Sequence, residues 1–198
     1  MATLPAPVRL AVVDVDGCLT HGEAEEWNWQ ALQAVHQFNK RSQRGEGQPA
    51  VTLCTGRQEP YVEVLLQAIG GFMPAIYENG CGLYFPDRYQ FVEHPSISTK
   101  VREALTAAKT IVYHRAVGPG LGYFQPGKEV SLTLYPLPGT SVQRLYQAVA
   151  DALAPHDRLF TVQASVSCVD VTPAGIDKGT GALWLSTELG IPLAQMGG

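Results

Sequence analysis

The stretch Val8-Arg9-Leu10-Ala11-Val12-Val13-Asp14-Val15-Asp16-Gly17 decides the fold. Its first part is short, β-branched and almost unbroken in apolar character, and it runs straight into Asp-x-Asp-Gly, which is loop chemistry. A strand that is apolar on both sides belongs in a sheet covered on both faces, so it reads as a central parallel strand. The pattern then repeats. Trp27, Ala31, Ala34, Val35 and Phe38 recur at helical spacing, and the polar, glycine-containing segment 41–48 reads as a loop. Ala50-Val51-Thr52-Leu53-Cys54 is a second buried strand, broken by Thr55-Gly56-Arg57. Val62, Leu65, Leu66 and Ile69 mark a second helix, and Pro74-Ala75-Ile76-Tyr77 a third strand ending at Glu78-Asn79-Gly80. Strand–helix–strand–helix–strand describes an α/β core with a doubly wound, Rossmann-like parallel sheet. Such sheets bind ligands at the carboxyl ends of their strands, where Asp14, Asp16, Thr55 and Asn79 fall.

From Leu83 the grammar changes. Leu83-Tyr84-Phe85 reads as a short strand, a candidate hairpin partner of Ala75–Tyr77. Helices over 98–109 and 142–153 alternate with strands over 130–135, 159–164 and 167–171, with a Gly/Pro-rich turn region at 118–127. This order predicts an inserted α+β module over 83–172, with helices on one face of an antiparallel sheet. The core domain is then 1–82 with 173–198. Its last part is a helix over 177–189, and Pro192 to Met196 starts like a further strand.

Composition bounds the function. The 198 residues carry Lys+Arg 14 and Asp+Glu 18, a formal charge of −4, and are 45% apolar. An ordinary apolar fraction argues for a globular chain, and mild acidity without basic blocks argues against nucleic acid or anionic membrane as the main partner. No apolar stretch approaches the ~20 residues that span a bilayer, and the start lacks the look of a secretory signal. Cys18, Cys54, Cys81 and Cys168 lie in or beside apolar runs without zinc-site spacing, so buried free thiols and a cytoplasmic location are expected.

Asp14 and Asp16 pair two carboxylates just beyond the first strand, one able to attack an electrophile while the other handles protons or a metal. Taken alone, Asp-x-Asp-Gly is equally a turn. The set Asp14-Val15-Asp16-Gly17-Cys18-Leu19-Thr20, Thr55-Gly56-Arg57, Glu78-Asn79-Gly80 and Gly175-Ile176-Asp177-Lys178-Gly179, in that order, carries more. It resembles the haloacid dehalogenase-like phosphohydrolases, in particular the Cof-type branch with a large α/β cap, over nearly the whole chain.

The resemblance implies roles. Asp14 would take the phosphoryl group, Asp16 would serve as general acid and base, and Lys178 would offset charge between nucleophile and phosphate. Thr55 would hold a phosphate oxygen, with Gly17, Gly56, Arg57 and Asn79 completing the phosphate and substrate contacts. Mg2+ would sit on the Asp14 carboxylate and the Asp16 backbone carbonyl. A hard cation, a lysine and hydrogen-bond donors are the apparatus phosphoryl transfer requires. The bland readings stand beside these: Thr55 as a turn hydroxyl, Arg57 as a surface partner of Glu59, Asn79 as a left-handed turn residue, and Trp27, Trp29 and Trp184 as packing or cap-contact aromatics. Lys178 near a helix start is misplaced for helix stability, which favours a role in chemistry.

The expected activity is a Mg-dependent phosphatase acting on a small phosphorylated metabolite, a sugar phosphate first. A related phosphomutase and a catalytically silent binding module are the alternatives. The family's later Gly-Asp signature has no counterpart after Leu193, so a C-terminally shortened form is expected. Metal affinity would then be weakened, and a homo-oligomer or other pairing would cover the incomplete sheet.

Overall fold

The apolar opening run forms strand β1 (Leu10–Val13), and helix α1 (Trp29–Gln43) leads to β2 (Ala50–Leu53). The two strands pair in parallel from Leu10↔Ala50 to Val13↔Leu53, as the crossover grammar predicts. The computed structural model describes residues 7–198. Helix α2 (Glu59–Ala68) follows, with Pro60 in its first turn and Val62, Leu65 and Leu66 buried. Strand β3 (Ala75–Tyr77) touches the parallel sheet through one bridge, Cys54↔Ile76.

The inward stripe of α1 differs from the apolar spacing. Its buried positions are Leu32 and Asn39, whereas Ala34 is exposed. Asn39 is fully buried because its amide answers backbone groups: its nitrogen donates to the carbonyls of Val51 (3.1 Å) and Ile69 (3.0 Å), and its oxygen accepts from Val51 N (2.8 Å). A polar residue thus ties α1 to β2 and to the end of α2. Hydropathy alone does not register such a residue.

Strand β4 (Gly82–Phe85) pairs antiparallel with β3, as the hairpin expectation has it, and then pairs with β5 (Gln90–Glu93), which the sequence reading lacks. The hairpin is held by aromatic packing, with the Tyr84 and Phe91 rings stacked 4.6 Å apart. This hairpin moves the boundary. One compact unit runs through His94 and resumes at Lys178, and the second spans Pro95–Asp177. The insertion therefore starts after β5 rather than at 83, because β4 and β5 extend the sheet of the first unit.

In the second unit, helix α3 (Thr99–Val112) continues into a π-type turn at Tyr113–Val117 and is followed by β6 (Gly122–Phe124). Then come β7 (Leu132–Pro136), α4 (Val142–Leu153), β8 (Phe160–Ala164) and β9 (Val169–Pro173). The sheet order is β6-β7-β9-β8 and every pairing is antiparallel. Leu105, Val112, Leu134, Leu145, Val149 and Val171 form its core between helices and sheet. Strand β6 lies inside the region read as a turn, where Gly122 suits the closeness of the Tyr135 carbonyl and the Leu145 side chain.

Back in the first unit, α5 (Lys178–Leu189) packs Leu185 against Leu10, Ala50, Ile76 and Leu83. The segment read as a strand start is a 3-10 turn over Leu193–Gln195, and the strand proper, β10 (Met196–Gly197), pairs in parallel with Leu10 and Ala11. β1 is therefore central, in the order β10-β1-β2.

Candidate active site

Asp14 is the first residue past β1, and Cys54 the first past β2, whose N–H donates to the Val13 carbonyl at 2.9 Å. Parallel register therefore brings the loops beginning at Asp14 and Thr55 to the same edge of the sheet. Lys178, the first residue of α5, reaches that edge: its Nζ lies 2.6 Å from Asp14 Oδ2 across 164 positions of sequence. Asp14 Oδ1 accepts from the Val15 N–H at 2.8 Å, which fixes the carboxylate orientation. Both side chains of the ion pair stay nearly half exposed, 42% for Lys178 and 44% for Asp14, so the carboxylate is open to a ligand. A cavity of about 410 Å³ opens beside them, lined also by Val12, Cys54, Ala182 and Met196.

The turn after Asp14 is built on one carbonyl. Val15 is fully buried, and its oxygen accepts from the N–H groups of Cys18 (3.2 Å), Leu19 (2.8 Å) and Thr20 (3.1 Å). Gly17 supplies the reversal at φ 82°, and nothing lies within 4 Å of where its Cβ would be. Glycine is thus required there by backbone conformation rather than by crowding. Cys18, expected to be buried, is exposed because the turn throws its side chain outward, while Cys54, Cys81 and Cys168 are buried free thiols as expected.

Asp16 faces a different partner from Asp14. Arg57 Nε donates to Asp16 Oδ2 at 2.9 Å and Arg57 Nη2 to Oδ1 at 2.7 Å, a two-pronged fit of planar guanidinium to carboxylate. This pair is much drier than the Asp14 pair, with Arg57 14% and Asp16 25% exposed. Thr55 is fully buried, and its hydroxyl oxygen accepts from the Arg57 N–H at 3.1 Å, the turn geometry of its bland reading, with the hydroxyl proton left to donate. Of the sequence-derived set, Asp14 is joined by direct contact to Lys178, Asp16 to Arg57, and Arg57 through its backbone to Thr55.

A haloacid dehalogenase-like hydrolase from Bacillus subtilis has the same architecture, with a TM-score of 0.62 at 15% identity over 96% of this chain and 81% of that one. The sucrose-phosphatase of Synechocystis, solved with sucrose and phosphate, gives a TM-score of 0.63 at 18% identity over 96% of this chain and 74% of that one. A phosphoglycolate phosphatase from Pyrobaculum aerophilum is 28% identical over 189 residues, 95% of this chain and 73% of the relative. The chain shares the fold of these solved hydrolases and is similar in sequence to that phosphatase. No family model matches the chain.

Within this site, Asn79 serves the loop that carries Thr55 and Arg57. Its backbone is left-handed (φ 58°), its N–H donates to the Thr55 carbonyl at 3.0 Å, and the preceding Glu78 N–H donates to the Arg57 carbonyl at 2.9 Å. A Cβ on Gly56 would lie 2.9 Å from the Asn79 side-chain oxygen, so Gly56 and Asn79 are packed against one another. The turn reading of Asn79 therefore describes its backbone, and the turn itself braces Thr55-Gly56-Arg57.

Sequence reasoning missed Tyr61 and Thr20. The Arg57 guanidinium carbon sits 4.9 Å from the Tyr61 ring centroid, and the Thr20 hydroxyl lies 3.4 Å from Asp16 Oδ1. The four-residue spacing of Arg57 and Tyr61 across the start of α2 was the available signal. Burial raises the Tyr61 phenol above its ordinary range, the Arg57 charge opposes this, and the Asp16 charge adds to it.

The donors present suit a hard cation shared with substrate. Among the described residues no three His, Cys, Asp or Glu converge on one point. Magnesium, however, is commonly held by one or two carboxylates, with water and substrate phosphate filling the other positions. The exposed Asp14 carboxylate meets that requirement, whereas the Asp16 carboxylate is committed to Arg57.

Proposed function

We propose that this chain is a phosphoric monoester hydrolase that cleaves a small phosphorylated metabolite, a sugar phosphate first, by way of a phosphorylated Asp14. The observation that carries the reading is the Lys178–Asp14 contact at 2.6 Å, with Asp16 two residues away on the same turn. A nucleophile, a cation and a proton-carrying acid brought to one edge of the sheet are what phosphoryl transfer demands.

In the first half-reaction the Asp14 carboxylate attacks phosphorus. The bond to the ester oxygen breaks, its electron pair stays on that oxygen, and protonated Asp16 gives it a proton so that an alcohol leaves. Water then attacks the aspartyl-phosphate while the Asp16 carboxylate takes a proton from it, which releases inorganic phosphate and restores Asp14. Lys178 offsets the negative charge that gathers between Asp14 and the phosphoryl oxygens. Thr55 is positioned to donate its hydroxyl proton to one of those oxygens, and Gly17 keeps the loop backbone open to them. Magnesium, held by Asp14 and the Asp16 backbone, would neutralise further charge on the transferring group.

The sugar-phosphate preference is supported by the sucrose-phosphatase likeness, and phosphoglycolate belongs in the same panel through the Pyrobaculum relative. No described helix is long and apolar enough to cross a membrane, and the proposed place of action is the cytoplasm. The test is phosphate release from p-nitrophenyl phosphate with and without Mg2+, comparing wild type with Asp14→Asn. Magnesium-dependent release abolished by the substitution is expected, and release that survives it would overturn the proposal.

A further inference from the structure

Around Asp16 the contacts close into a ring. Asp16 binds the Arg57 fork at 2.9 and 2.7 Å, and Arg57 lies over Tyr61, its guanidinium carbon 4.9 Å from the ring centroid. The Tyr61 ring meets Trp27 edge-on, with centroids 6.4 Å apart. Trp27 forms a backbone bridge with Thr20, which in turn bridges to Asp16 and brings its hydroxyl to within 3.4 Å of Asp16 Oδ1. The circuit therefore leaves the acid loop through a guanidinium and two aromatic rings and returns to it through the backbone. Asp14 instead accepts from the Val15 N–H and from Lys178, a partner that is nearly half exposed.

We propose that Tyr61, backed by Trp27, is a positioning residue for leaving-group protonation, because its ring holds the guanidinium that orients both oxygens of Asp16. The inference rests on the phosphatase reading above. Its physical basis is the double duty of Asp16. As drawn, both oxygens accept from Arg57, which suits the carboxylate that takes a proton from water. In the other half-reaction one oxygen carries a proton and donates it to the ester oxygen as the P–O bond breaks, so one prong of the fork must yield. The hold of Asp16 on Arg57 is then weakened, while the contact of Arg57 with Tyr61 is not. The face of an aromatic ring attracts a guanidinium whatever the protonation state of the acid, and low exposure strengthens that attraction.

Leaving-group chemistry supplies a readout that a merely structural role would not move. A p-nitrophenolate leaves with little help, whereas an alkyl alkoxide needs its proton. kcat/KM reports only the steps through phosphoryl transfer to Asp14, so it isolates the acid half of the cycle. Tyr61→Ala is expected to lower kcat/KM by about 3- to 30-fold for the best alkyl phosphate in a metabolite panel, and by less than about 2-fold for p-nitrophenyl phosphate. Tyr61→Phe, which keeps the ring, should restore most of the alkyl phosphate rate. If Tyr61→Ala fails to fold, Tyr61→Leu, which fills the space without a π face, takes its place under the same criterion. Equal losses for both esters, or no loss for either, would overturn the positioning role while leaving the phosphatase reading intact. Wild-type activity that survives Asp14→Asn would overturn both.

Discussion

Lys178 occupies the first position of α5, where the helix dipole disfavours a cation, and it turns to Asp14 at 2.6 Å. With both side chains more than two-fifths exposed, such a pair contributes only about 0–1 kcal/mol to stability. Folding therefore gives little reason for a lysine there, and charge neutralisation during reaction gives a strong one. Lys178→Met is expected to lower kcat by roughly 10²–10³ while moving the urea midpoint little. A large drop in midpoint with kcat retained would make the pair structural instead. His94 shows the opposite balance. Burial lowers its pKa, and its ring packs edge-on against Trp184 with centroids 5.2 Å apart. The unfolded chain titrates this ring near its ordinary value of about 6.5, above the folded value, so protons bind preferentially to the unfolded state. The contribution of His94 to stability is then intact above that pH and falls as the pH drops through it. Urea melts of wild type and His94→Gln, at a pH of about 7.5 and about 5.5, should show a smaller acid loss in the variant.

The hairpin of β3 and β4 sets a second kind of constraint. Tyr77 stands opposite Gly82 and is almost completely buried, and an added Cβ at Gly82 would fall within the Tyr77 ring itself. Glycine is needed here because an aromatic ring covers its backbone, a feature of pairing and not of turn geometry. Gly82→Ala should destabilise by about 1–3 kcal/mol, read as a lower urea midpoint at unchanged slope. An unchanged midpoint would mean that the Tyr77 ring swings aside freely. The same pair shows what sequence does and does not disclose. Strand–helix alternation was legible because β1, β2 and α2 carry their signals in consecutive residues, and the acid loop was legible because Asp14, Asp16 and Gly17 are adjacent. Gly82 and Tyr77 depend on antiparallel register, Asn39 on carbonyls contributed by β2 and α2, and Arg57 on a carboxylate 41 positions away. Contacts of that kind have no local period, and so the buried Asn39 and the Asp16–Arg57 fork emerge only with the fold.

At the scale of the whole molecule, the inserted unit and the first unit each enclose apolar side chains of their own among the described residues. Leu105, Leu134, Leu145, Val149 and Val171 close the inserted unit between two helices and a four-stranded antiparallel sheet. All four strands pair among themselves, so no ladder of the inserted sheet depends on the other unit. The first unit is in a different position, since Leu185 of α5 joins one apolar cluster with residues of β1, β2 and β3 that lie on the far side of the insertion in sequence. Its core cannot close until the insertion has been passed. Loop-closure entropy grows only slowly with length, so this long detour is tolerable, and it is cheaper still if the detour is itself folded and holds its ends close. The inserted unit should accordingly be stable by itself: a fragment spanning Pro95–Asp177 is expected to melt cooperatively, with dispersed amide resonances and the slow exchange of a packed core at Leu134 and Val171. A non-cooperative melt with collapsed resonance dispersion would show instead that the insertion draws its stability from the rest of the chain, and that the two cores form in a single step.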